Sequence, residues 1–72
     1  MKRINFVPIG YIGECLDLIE QGDKYALSNE LFIEYEPNMY HKIYVACDNT
    51  DGNAWTDEFD NLDNAIRWLL DM

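Results

Sequence analysis

Two runs of alternating residues, Met39 to Cys47 (MYHKIYVAC) and Trp55 to Phe59 (WTDEF), flank the segment Asp48-Asn49-Thr50-Asp51-Gly52-Asn53. An Asp-Gly pair between such runs is a strong short-range signal for a β-hairpin, because Gly accepts the left-handed backbone that these turns demand. Side-chain parity then addresses the loop length. A two-residue turn at Asp51-Gly52 sets Val45 opposite Glu58 and Cys47 opposite Thr56, which spoils the buried face. A three-residue loop, Thr50-Asp51-Gly52, or a five-residue one sets Val45 opposite Asp57, Cys47 opposite Trp55 and Ile43 opposite Phe59. The odd loop is therefore expected, with His41, Ile43, Val45, Cys47, Trp55 and Phe59 inward, Asp57 as the one inward misfit, and Tyr40, Lys42, Tyr44 and Ala46 outward.

The other elements follow from periodicity. Ile9, Ile12, Leu16 and Ile19 recur at helical spacing, Pro8 suits a helix start and Gly22 a stop, which predicts a helix over Ile9 to Gln21. Gly10 and Gly13 weaken its first turns, so a later start is compatible with the pattern. Tyr25 to Asn38 alternates, Leu31, Ile33 and Tyr35 against Glu30, Phe32, Glu34 and Glu36, and reads as a strand that turns at Pro37-Asn38. A last helix starts at Asp60 or Asn61 and runs to the end, its apolar stripe formed by Leu62, Ala65, Ile66, Leu69 and Met72 and widened by Trp68 and Leu70. The expected class is α+β in the order α-β-β-β-α, a three-stranded antiparallel sheet with both helices on one face and the other face open.

With 72 residues and no linker or repeat, the chain is long enough for a single domain, residues 1–72. Its charge excludes function classes. Fourteen Asp and Glu stand against five Lys and Arg, a formal balance of -9, and Lys2 and Arg3 account for two of those bases. Such a chain lacks the cations that neutralise phosphates, so direct nucleic-acid binding is not expected. Ten aromatic residues argue against disorder. No stretch approaches the roughly 20 apolar residues of a membrane helix, and Met1 to Val7 lack the apolar run of a signal peptide, which together predict a cytoplasmic protein.

Enzymatic and metal chemistries find little purchase. Cys15 and Cys47 belong to no zinc spacing, and both fall on expected core faces, which favours buried free thiols over a disulfide. Asn49, Asp51, Gly52 and Glu58 match part of a calcium-loop register, but its first position would be Cys47 and its flanks are strands. His41, the sole histidine, has no nucleophile placed beside it by any motif. Asp57 and Glu58 are adjacent on a strand and point to opposite faces, unlike the paired carboxylates of a glycosidase. No catalytic residue, cofactor or metal site is expected.

What remains is a surface. Between Ile43 and Ile66 the chain carries six acids, Asp48, Asp51, Asp57, Glu58, Asp60 and Asp63, and no Lys or Arg. Phe32, Glu34, Glu36, Tyr40 and Tyr44 would join Asp48 and Glu58 on the open sheet face. Carboxylates among aromatic rings can bind Arg and Lys through charge-assisted hydrogen bonds while the rings supply buried anchors. The expected partner-binding residues are thus Asp48, Asp51, Asp57, Glu58, Asp60, Asp63, Glu34, Glu36, Phe32 and Tyr44.

A small acidic chain of this order, with carboxylates crowding one hairpin and the next helix start, resembles the small type II anti-CRISPR inhibitors of phages and prophages, in composition and topology and without a diagnostic motif. The segments Tyr44 to Asn49, Ala54 to Phe59 and Ala65 to Leu69 are also similar to a hairpin-helix pattern in small proteins from mobile elements of Gram-positive bacteria. The resemblance implies a non-enzymatic inhibitor acting inside a bacterial host, mimicking DNA phosphates in the basic groove of a protein such as a CRISPR nuclease. The alternative is an interaction adaptor or small homodimeric module that uses the Phe32/Tyr44 face or a sheet edge.

Overall fold

The computed structural model describes residues 3–35 and 43–70. Along the chain come β1 (Ile4–Pro8), α1 (Tyr11–Glu20), β2 (Leu31–Tyr35), β3 (Tyr44–Asp48), β4 (Trp55–Phe59) and α2 (Leu62–Leu70). The strands form one sheet in the order β1-β2-β3-β4. β1 runs parallel to β2, and the other two pairings are antiparallel. The class is α+β as expected, but the sheet is four-stranded and mixed where three antiparallel strands were expected.

The added strand is β1. Read from sequence, Pro8 opens a helix; in the fold it ends an outer strand, where a missing N–H costs no ladder bond. A parallel partner for β2 requires a crossover, and α1 with residues 21–30 supplies it. α1 begins at Tyr11, after Gly10 in the left-handed region at φ 90°. Gly10 offers no side-chain cap, so the helix end is served from elsewhere: the Ile12 N–H donates to the Glu34 carboxylate of β2 at 3.3 Å.

The helices lie on opposite faces of the sheet, which corrects the expectation of one covered and one open face. Ile12 and Cys15 of α1 pack with Leu27, Phe32 and Cys47. Ala65 and Leu69 of α2 pack with Leu31, Ile33 and Ala46. Neighbouring residues of a strand point to opposite faces, so Phe32 against Leu31 and Ile33, and Cys47 against Ala46, assign one helix to each side. Burying each large apolar side chain contributes about 1.5–3 kcal/mol, and the two clusters share β2 and β3 as their common wall.

Two-sided cover also settles the hairpin register. Val45 stands opposite Glu58, Cys47 opposite Thr56, Tyr44 opposite Phe59 and Asp48 opposite Trp55. This is the parity the odd-loop argument rejected. That argument required one buried face, whereas Ala46 and Cys47 are both fully buried, one on each side. The connection is six residues, Asn49 to Ala54, with Gly52 in the left-handed region at φ 83° as expected.

Asn49 holds that wide loop together. It is 4% exposed. Its side-chain amide donates to the carbonyls of Ser28 (3.0 Å) and Leu27 (3.4 Å), and its Oδ1 accepts the Ala54 N–H at 3.0 Å. Its backbone N–H donates to the Glu30 carbonyl at 3.0 Å. One side chain thus ties the segment before β2 to the β3–β4 loop. At the other end of β4, Asn61 caps α2, its Oδ1 accepting the Asn64 N–H at 3.2 Å.

Replacing Asn49 with Ala leaves buried backbone groups without partners, and urea denaturation should show a loss of roughly 2–4 kcal/mol; a loss under about 1 kcal/mol would contradict this role. Cys15 and Cys47 are free and buried. Burial, followed by the Asp48 and Glu34 carboxylates, pushes the Cys47 thiol up to about 11. In the native protein Cys47 should resist a thiol reagent at mildly alkaline pH and react once the chain is unfolded in denaturant.

Candidate partner-binding surface

The acids expected to form one patch divide into two groups. Glu34 is 7% exposed and faces the N-terminus of α1, where a negative charge meets the helix dipole. Asp48 is 6% exposed and accepts hydrogen bonds from the Thr50 N–H (3.0 Å) and hydroxyl (2.6 Å), a local turn that starts the hairpin loop. Both serve the fold. Phe32 is buried under α1, with its ring tilted against Tyr11, and Tyr44 is half-buried in the cluster beneath α2. Phe32 and Tyr44 occupy opposite faces, as do Asp48 and Glu58, so the expected aromatic and acidic face does not exist as one surface. Glu36, Tyr40, His41, Lys42 and the Pro37-Asn38 turn lie outside the described residues.

Asp51, Asp57, Glu58, Asp60 and Asp63 are exposed. They follow the hairpin loop, β4 and the first turn of α2. Asp57, expected to be inward, points to the α2 side of β4 and remains exposed because β4 is the last strand of the sheet. Asp57 and Glu58 project to opposite faces of β4, and Asp60 follows just past its end. Asp51 lies in the hairpin loop before β4 and Asp63 in the first turn of α2.

The aromatic member of this edge is Trp55, which the odd-loop register turned inward. It is 55% exposed, and its indole Nε1–H donates to Asp51 Oδ2 at 3.0 Å. Asp51 Oδ1 in turn accepts the Asn53 N–H at 3.0 Å. The Trp55 indole first, and then Asn53, hold the Asp51 carboxyl below its ordinary value. The ring is thereby held beside the carboxylate while the residue stays exposed. Its even-register position opposite Asp48 was the signal that could have found it.

Among the described residues no group of three or more His, Cys, Asp or Glu is placed to hold a metal ion, and no helix is long and apolar enough to cross a membrane. Compared with known proteins, the chain matches no family model, no curated protein and no solved structure.

The Trp55–Asp51 bond gives a pH readout. A carboxyl held down in the folded state keeps its bond above the ordinary value of 3.8 and loses it as pH falls through the depressed one. The Trp55 indole N–H resonance should therefore titrate with a midpoint below 3.8, and Asp51→Asn should abolish that step. A midpoint at or above the ordinary value would contradict the assignment.

Proposed function

We propose that the protein is a small non-enzymatic inhibitor that occupies the basic, nucleic-acid-binding groove of another protein, as a phage-encoded blocker of a bacterial defence nuclease would in the cytoplasm of the host. The observation that supports this most directly is the exposure of Asp51, Asp57, Glu58, Asp60 and Asp63 in a stretch with no Lys or Arg from Ile43 to Ile66. Asp57 and Glu58 put a carboxylate on each face of β4, so the strand can set negative charge against cations arranged for phosphates on either side of its edge. Charge-assisted bonds to Arg and Lys supply specificity, and attraction at a distance raises the association rate. Trp55, fixed beside Asp51, supplies the aromatic contact in place of Tyr44.

A second reading, an interaction adaptor or homodimeric module, draws support from a different place. Ile9, Leu16, Leu18 and Ile19 on and beside α1 are all exposed. Sedimentation tests the dimer, which would run at twice the monomer mass, while the salt dependence of partner binding tests the inhibitor.

The inhibitor reading is tested by capture from a bacterial lysate, elution with salt and identification by mass spectrometry, followed by binding to the recovered protein. Raising salt from about 50 mM to about 500 mM should weaken association by about tenfold or more, and DNA should compete. Replacing the five exposed acids with Asn or Gln should flatten the salt dependence while urea stability changes by less than about 1 kcal/mol. Binding that ignores salt and coexists with DNA would sink the proposal.

A further inference from the structure

Among the described residues β4 ends the sheet, and its backbone can be oriented from bonds at either end of the hairpin. The Asn49 N–H, one residue past β3, donates to the carbonyl of Glu30, one residue before β2. Backbone groups of alternate residues in an antiparallel strand point to the same side, so those of Val45 and Cys47 face β2 and those of Tyr44, Ala46 and Asp48 face β4. Their partners Phe59, Asp57 and Trp55 therefore bond inward, and Thr56 and Glu58 turn their N–H and C=O groups outward. The Glu58 N–H agrees: it donates to the carboxylate of its own neighbour, Asp57, at 2.8 Å. Thr56, Asp57 and Glu58 are all exposed.

We infer that the outer edge of β4 is a docking site for an extended, Lys- or Arg-bearing segment of the partner, which joins the sheet as a fifth strand. The inference deepens the proposed function and rests on it for the basic character of the partner. Charge selects the occupant. A second copy paired antiparallel and centred on Asp57 or on Glu58 sets that acid directly opposite its own copy, and like charges directly opposed on a sheet repel. A basic strand reverses the sign of that term. Its carbonyl replaces the Asp57 carboxylate at the Glu58 N–H, and the released carboxylate, together with Glu58 on the other face, pairs with cations that alternate along the incoming strand. The opposite edge is a poorer site, because β1 ends in Pro8, which has no N–H to donate, and has no acid between Ile4 and Pro8.

The test uses the full chain and a short capped peptide alternating Lys and Thr, beside the same peptide N-methylated at every residue, which keeps the charge and loses every backbone donor. Amide exchange followed by NMR should show protection at Thr56 and Glu58 with the first peptide. The methylated peptide should bind about tenfold or more weakly and protect neither amide. Equal binding of the two, protection confined to other strands, or no binding of the first peptide would each overturn the inference. The readout involves no captured partner and no DNA, so its failure is separate from failure of the inhibitor reading.

Discussion

Every other feature of this fold follows from the burial of β2 and β3 on both sides. Ile33 and Ala46 face one helix while Phe32 and Cys47 face the other, and none of these side chains retains appreciable exposure. A domain this small buries only about 60% of its unfolded surface. Two thin layers of helix around one pair of strands use the available apolar residues more fully than a sheet with a bare face. β4 at one edge and the outer side of α1 are among the places left exposed.

Two-sided burial forces polar groups near the centre into structural service. Glu34 sits within the covered part of β2 and is acceptable there because it meets the N-terminus of α1, which has no cap of its own. Asn49 turns a six-residue connection into an anchored one by bonding backbone groups from two separate segments. Among the described residues no buried side-chain nitrogen or oxygen lacks a partner. Buried acids and surface acids have identical chemistry in the sequence, and only their surroundings separate them.

Two of the acids that stay outside, Asp57 and Glu58, lie on β4, one of the two edge strands of the sheet. An open edge invites pairing with any extended chain, and proteins commonly restrain that with charge. Here the restraint carries a sign. Asp57 both satisfies an outward N–H and lines the edge with negative charge, so the groups that discourage self-association are the ones that would favour a basic partner. Trp55, held by Asp51 at the mouth of the hairpin, adds an aromatic surface at the end of the same edge.

Local chemistry made much of this legible in the amino-acid sequence. Helical spacing located α1 and α2, alternation located β2, β3 and β4, Asp51-Gly52 marked the turn, and the base-free run from Ile43 to Ile66 marked the charged end of the molecule. Each is a property of neighbours in the chain. The strand at Ile4–Pro8 was hidden because five residues ending in Pro acquire strand character only from β2 beside them. The hairpin parity, the side taken by each helix and the division of acids into structural and exposed were not legible for a related reason. A side-chain pattern states which residues share a face, but which faces are covered depends on elements distant in sequence. Once α1 and α2 cover opposite sides, both parities of β3 are buried, and the register is decided by packing and by Asn49 instead of by alternation alone.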